Sequence, residues 1–253
     1  MAPFKTDALV VRAEPFRDFD KRVILLTKQF GKVIGIAPAA QRSRKRFGGG
    51  LESLNFISVV FQEKSQHALV RFQEIQVINS YPRLKKDIKK LAYASYFLEL
   101  ISEVMHERES LPHLFEYLNS FLRALEKTRY EVLLCRFFEA RLLPKIGWQP
   151  NISDCSICKQ SLEVVGKKIH FSYQEGIIYC DSCAKKGIQL SGTQEVSKET
   201  ILYVKKMIEG EKNIKPQPEL EHQLKFLPLF LFHQLGKELH SYRFIESVVS
   251  TQK

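Results

Sequence analysis

The run Arg22-Val23-Ile24-Leu25-Leu26-Thr27-Lys28-Gln29-Phe30-Gly31-Lys32-Val33-Ile34-Gly35-Ile36-Ala37 is two short apolar segments divided by a glycine. Arg22–Phe30 predicts one strand, Gly31 its break, and Lys32–Ala37 the next strand. Upstream, Thr6–Arg12 predicts an earlier strand, reached across a polar loop. Downstream, Leu54–Phe61 and Ala68–Ile78 predict two more, joined by the polar turn Gln62–Gln66. Five short strands in this compass predict a small closed barrel of the OB type, an architecture whose open face and loops receive single-stranded nucleic acid.

Between the third and fourth strands lies Ala39-Ala40-Gln41-Arg42-Ser43-Arg44-Lys45-Arg46-Phe47-Gly48-Gly49-Gly50, with four cations, three glycines and no acid. It reads as a mobile basic arm. Glycines let backbone approach a phosphate chain, Arg42, Arg44, Lys45 and Arg46 match successive phosphates, and Phe47 offers a ring on which a base stacks. A solvated basic loop is the plainer alternative. The loop Phe16–Arg22 adds Arg17, Lys21 and Arg22 to the expected surface, although Asp18 and Asp20 intersperse opposite charge.

The chain carries a net charge of +11. Residues 1–80 hold 13 Lys and Arg against 7 Asp and Glu, whereas the other 173 residues hold 26 against 21, so positive charge is concentrated in the barrel. That distribution implies an acidic partner, nucleic acid above all. Hydrophobic residues make up 44% and charged residues 26%, ordinary values for a soluble chain that can build a core. No apolar run approaches the roughly 18 residues of a membrane span, and no signal-like segment is present, so a cytoplasmic location is expected.

After Tyr81-Pro82 the apolar period changes from two to about 3.6. Leu84, Ile88, Leu91, Ser95, Leu98, Ser102 and Met105 fall on one stripe and predict a long buried helix. Ser110 is expected to cap a second helix, and a third is expected from Arg129 to Leu143, ended by Pro144 and Gly147. Farther on, Ser191–Thr193 are expected to cap a helix over Gln194–Glu209. A last helix has Leu220, Leu224, Leu227, Leu231 and Leu235 on one stripe, with a kink expected at Pro228.

Two Cys-x-x-Cys pairs, Cys155/Cys158 and Cys180/Cys183, interrupt this helical region. Ile169, Phe171 and Tyr173 alternate with polar residues, and Gly176 turns the chain toward Ile177-Ile178-Tyr179, which forms a hairpin returning the second pair to the first. Four thiolates fill a tetrahedral sphere, so one structural zinc is expected in a knob too thin to hold itself. A redox pair is the alternative, and His170 is read as an ordinary strand residue rather than a ligand. Cys135 lies alone in an apolar segment, where a thiol behaves as a small hydrophobe. The expected organisation is thus α+β: a five-stranded OB barrel over 1–80, helices over 81–150, a four-cysteine zinc element over 151–187, and further helices over 188–253. No nucleotide-binding, hydrolase-nucleophile or metalloprotease signature occurs along the chain, and a non-enzymatic protein is expected.

The order of parts resembles the RecO family of bacterial recombination mediators. The resemblance rests on Asp20–Thr27 followed by Phe30-Gly31-Lys32, and on the arm from Ala39 to Gly49 with Leu51-Glu52-Ser53-Leu54. It extends through Leu142-Leu143, Gly147 and Pro150 into Cys155-x-x-Cys158, then Phe171-Ser172, Gly176 and Cys180-x-x-Cys183, and on to His240–Phe244. Pro38-Ala39-Ala40 departs from the glycine common before the arm, and Gly176-Ile177 from a frequent Gly-Gly. The resemblance implies DNA repair and recombination of the RecF type in the nucleoid. It implies binding of single- and double-stranded DNA, annealing of complementary strands, and work with RecR so that RecA replaces single-strand-binding protein, whose C-terminal tail docks on the helical domain. A protein-interaction scaffold and an RNA-binding OB protein are the other readings of the same residues.

Overall fold

The computed structural model describes residues 3–63, 69–186 and 192–250. The expected turn residues 64–66, the strand start at Ala68 and the expected capping residue Ser191 lie outside them. Contacts divide the chain into two compact units, Met1–Thr128 with Leu239–Lys253, and Arg129–Glu238.

The first unit begins with all five expected strands: β1 (Phe4–Phe16), β2 (Asp20–Thr27), β3 (Gly31–Ala37), β4 (Phe56–Gln62) and β5 (Val70–Asn79). A four-residue helix, α1 (Arg44–Phe47), falls between β3 and β4. The strands close as β1-β2-β3-β5-β4, the OB order. Each strand alternates, so that Val10, Val23, Leu25, Val33, Val59 and Phe61 fill the interior while their neighbours face outward. Neighbouring strands run antiparallel except at the closing seam, where β3 and β5 are parallel and matched only at Gly35↔Val70 and Ile36↔Arg71. Gly35 makes that seam possible: a Cβ there would run into the Val70 side chain and carbonyl and the Phe72 ring.

Where one long helix was expected after Pro82 there are two, α2 (Pro82–Lys86) and α3 (Ile88–Val104). Asp87 is extended and its carboxylate accepts from the backbone N–H of Lys89 and Lys90 at 3.0 and 3.1 Å, so it caps a new helix instead of continuing the old one. The restart shifts the phase of the stripe and leaves Ile88 49% exposed. Helix α4 (Pro112–Lys127) begins after Leu111, with Pro112 in its first turn, and Ser110 is not its cap. Tyr81, fully buried, donates its hydroxyl proton to Asn119 Oδ1 of α4 at 3.0 Å, and Lys32 of β3 donates to the Ser102 carbonyl of α3 at 2.7 Å. Barrel and helices are thereby tied within one unit.

The second unit opens with α5 (Glu131–Leu142), which a 3₁₀ turn at Leu143–Lys145 ends. Its Arg136–Glu139 ion pair, 2.7 Å long, is buried, and burial raises the thiol pKa of neighbouring Cys135. Next come β6 (Asn151–Cys155), β7 (Lys168–Ser172), β8 (Ile177–Cys180) and the short α6 (Asp181–Ala184). The helix expected over Gln194–Glu209 is divided: Thr193–Ser197 is a strand, β9, pairing with β7, and α7 (Lys198–Ile208) follows, capped by the Ser197 side chain. Strand order β6-β8-β7-β9 makes a four-stranded sheet, larger than the expected hairpin knob.

The expected kinked helix after Leu220 is a 3₁₀ segment, Pro218–Lys225, followed by α8 (Phe226–Leu235). Pro228 therefore lies in the first turn of α8, where its missing N–H costs nothing, and the change of helix type occurs ahead of it. Phe171 of β7 stacks on Phe226 and Phe230 of α8 with centroids 4.4 and 6.0 Å apart. The last helix, α9 (His240–Ser250), returns to the first unit. There Glu99 of α3 accepts from the Ser241 hydroxyl and from the His240 and Ser241 backbone N–H groups.

The seam predicts a sharp stability effect. Gly35→Ala should lower the unfolding free energy by about 1–3 kcal/mol through overpacking, whereas Gly166→Ala, whose added Cβ meets nothing within 4 Å, should stay within roughly 0.5 kcal/mol. Urea midpoints of the two variants measure both.

Candidate nucleic-acid interface and metal centre

Because β3 pairs with β5, the chain leaving Ala37 must cross the barrel before it returns as β4, and the basic segment is that crossover. It is anchored at both ends. Ala39 adopts a left-handed φ of 53°, the conformation a glycine takes readily, and its N–H donates to Asp20 Oδ1 at 2.8 Å. Gln41 adds two bonds to the β1–β2 loop, from its N–H to the Phe19 carbonyl at 3.0 Å and from Nε2 to the Asp20 carbonyl at 3.2 Å. Arg42 lays its guanidinium over the Phe19 ring, 3.1 Å from the centroid.

At the far end Phe47 is 3% exposed and belongs to the barrel core. The expectation that it stacks on a base is therefore corrected: a ring enclosed by barrel side chains is a plug that fixes the arm, not a platform. The arm is correspondingly a helical turn, not the loose segment expected. Arg46, half-buried, is turned back to donate to Ser43 Oγ at 3.0 Å and the Pro38 carbonyl at 2.9 Å. Arg42, Arg44 and Lys45 are exposed. Arg22 is exposed on β2, in register with Ile36, while Lys21, half-buried, begins the strand opposite Ala37.

Beside the arm the outer face of the barrel holds a cavity of about 530 Å³. Ile36 and Val70 from the parallel seam, Phe16 and Arg17 from the β1–β2 corner, and Arg71 of β5 line it. Apolar rings and chains flanked by guanidinium groups suit bases and phosphates respectively. Arg71 and Phe19 escaped the sequence reading. Arg71 is an isolated cation in a strand, and only the pairing Ile36↔Arg71 brings it to the groove. Asp20, by sequence a charge opposing the site, instead holds the arm's first turn.

The four cysteines converge as their spacing requires. Cys155 ends β6, Cys180 ends β8, Cys158 follows a tight turn and Cys183 sits in α6. All four Sγ atoms lie within 4.8 Å of one another, and Cys158 and Cys180 are 3.8 Å apart. A tetrahedron with metal–sulfur bonds of about 2.3 Å has sulfur–sulfur edges of about 3.8 Å, so the thiol set fits a zinc-sized ion. Burial raises the Cys155 pKa, but N–H groups of Cys180, Cys158 and Ile157 outweigh it and bring the thiol down to about 6. Hydrogen bonding with Cys180, then burial, push Cys183 up to about 12. Crowded thiols thus compete for one negative charge, a conflict that a divalent cation removes. His170 lies outside the cluster, with Nε2 3.5 Å from Asp181 Oδ1.

A closed five-stranded OB barrel bearing a basic crossover, followed by helices and a four-cysteine cluster that could hold a metal ion, places the chain among modular OB-barrel proteins. The family model for the N-terminal part of recombination protein O matches residues 1–81, and that for its C-terminal part matches residues 85–243. The DNA repair protein RecO of Syntrophus aciditrophicus is 33% identical over 252 residues, covering 98% of this chain and 96% of that protein. The protein of the same name from Geobacter sulfurreducens is 30% identical over 191 residues, 76% of this chain and 77% of the other. That from Symbiobacterium thermophilum is 26% identical over the full length of both. The chain belongs to the RecO family.

Two outcomes follow from the two sites. Asp20→Ala should weaken oligonucleotide binding several-fold although it removes a negative charge, because the arm loses its anchor; Asp20→Asn, which keeps an acceptor for Ala39, should bind at least as tightly as the wild type. Fluorescence anisotropy with a labelled single strand distinguishes them. Stripping metal with a strong chelator, or Cys155→Ser with Cys180→Ser, should lower the melting temperature of the second unit while the barrel's circular dichroism persists, since the four cysteines and the barrel strands belong to different units.

Proposed function

We propose that this chain is a DNA-binding recombination mediator without catalytic chemistry of its own. The observation that carries the proposal is the anchored arm, which displays Arg42, Arg44 and Lys45 to solvent beside a groove lined by apolar side chains, by Arg17 and Arg71, and by Gln62 and the one acid Asp20. Two phosphate chains repel one another, and cations held on a rigid support lower that repulsion and raise the local strand concentration. Bases then pair by themselves, so annealing requires no nucleophile, general base or hydrolytic metal. Single and double strands both offer the phosphates this surface takes.

The names of the relatives support a place in DNA repair, and the location that goes with the proposal is the cytoplasm, at the nucleoid. Among the described residues no helix is long and apolar enough to cross a membrane. In the proposed pathway the protein works with RecR and with the C-terminal tail of single-strand-binding protein, so that RecA gains coated strands. One zinc ion held by Cys155, Cys158, Cys180 and Cys183 has a structural role, because four thiolates leave no open coordination position for substrate.

The test is annealing of complementary oligonucleotides, bare and coated with single-strand-binding protein, by the wild type and by the Arg42→Ala, Arg44→Ala, Lys45→Ala, Arg46→Ala variant. The expected result is acceleration that survives the coat, falls at least tenfold in the variant, and carries a salt slope of about −2 attributable to the three single-strand phosphate contacts of Arg42, Arg44 and Lys45. No acceleration by the folded wild type contradicts the proposal. Tighter binding to RNA than to DNA of the same sequence would replace it with the RNA reading.

A further inference from the structure

A second cationic surface lies outside the barrel. Arg83-Leu84-Lys85-Lys86-Asp87-Ile88-Lys89-Lys90 carries five cations and one acid at the corner where α2 gives way to α3. Two of the five have structural work. Lys85 donates to Asn55 Oδ1 at 2.6 Å and pairs with Glu52 at 3.2 Å, and Lys90 donates to the Glu126 and Thr128 carbonyls at the end of α4 at 3.1 and 3.0 Å. The single acid, Asp87, is turned onto the backbone as the cap of α3. Arg83 and Lys86 are exposed and Lys89 is half-exposed, and among the described residues none of these three has an ion-pair partner. Lys127 of the last turn of α4, also exposed, lies in sequence between the two residues whose carbonyls Lys90 holds.

The corner is joined to the arm. Asn55, which accepts from Lys85, donates through Nδ2 to the carbonyls of Gly49 and Gly50, the residues that close the arm. A chain of hydrogen bonds therefore runs from the basic crossover to α2, and of the glycines between them Gly49 is exposed with nothing within 4 Å of the place a side chain would take. Like charges gathered on two elements held at a fixed separation repel in the free protein. A long polyanion that spans both satisfies the two groups at once.

We propose that Arg83, Lys86 and Lys89, with Lys127 beside them, form a second phosphate-backbone contact, on which a strand held at the arm continues onto the helices. This deepens the nucleic-acid reading above and rests on it. The ligand class is a sugar-phosphate chain, read by charge and not by sequence, and long enough to reach from the crossover to the α2–α3 corner.

The test uses the full chain with Arg83→Ala, Lys86→Ala and Lys89→Ala together, beside the four-fold arm variant, and two labelled oligothymidylates of about 6 and about 20 nucleotides. Thermal unfolding should be unchanged in the corner variant, since the three side chains hold nothing in place. The expected result is unaltered affinity for the short strand, roughly tenfold weaker binding of the long one at low salt, and a salt slope smaller by about 2 for three lost contacts. Long-strand affinity and slope equal to wild type would overturn the corner while leaving the arm reading intact, provided the arm variant still loses both lengths. Equal losses for short and long strands would also overturn it, because a diffuse field and not a spanning contact would then be responsible. Failure of the wild type to bind either strand would remove the arm reading and this one together.

Discussion

The parallel pairing of β3 with β5 is the constraint from which the candidate interface follows. Only two residue pairs, Gly35↔Val70 and Ile36↔Arg71, are matched there, and the barrel closes because Gly35 leaves room for Val70 and Phe72. Putting β5 beside β3 obliges the intervening chain to traverse the barrel before β4 can pair with β1. A crossover of that kind must satisfy its own polar groups and cannot be loose without leaving the barrel core open. Here Asp20 and Phe19 hold its start and Phe47 plugs its end, so the cations between them are presented from a fixed support. The same seam supplies Ile36, Val70 and Arg71 to the neighbouring groove.

The second unit solves a different problem. A sheet of four short strands has little interior, and its stability is divided between two sources. Phe171 packs against Phe226 and Phe230 on one side, and the four thiols gather at the ends of β6 and β8 on the other. Thiols alone in such proximity are poorly satisfied: one is held near the thiolate while another keeps its proton far above neutral pH. A bound divalent cation turns that electrostatic conflict into cross-linking, the ordinary use of a site built from four cysteines.

Strand periodicity, the four-cysteine spacing and the location of the basic segment were legible in the amino-acid sequence because each is a local pattern with one dominant physical meaning. What escaped it depended on tertiary context. Phe47 read as a stacking ring since nothing in its neighbourhood reveals that it points into the barrel. Asp20 read as a charge because its hydrogen bond spans 19 residues. The stripe from Leu84 to Met105 concealed the break at Asp87, where a carboxylate able to cap a helix competes with continuation of the old one. Local pattern puts Thr193 in a cap and Gln194–Ser197 in a helix because the strand that claims them, β7, lies well upstream and offers no local sign.

The proposed function assigns nucleic acid to the crossover and seam face together, and backbone amide chemical shifts of the isotopically labelled protein, titrated with a short oligothymidylate, test this most directly. The largest perturbations are predicted at Phe19, at Ala39–Arg46 and at Ile36, Val70 and Arg71, with Phe47 shifting little because its ring stays in the core. Perturbations confined to the four-cysteine element and α7–α8, with the crossover unaffected, would contradict that assignment.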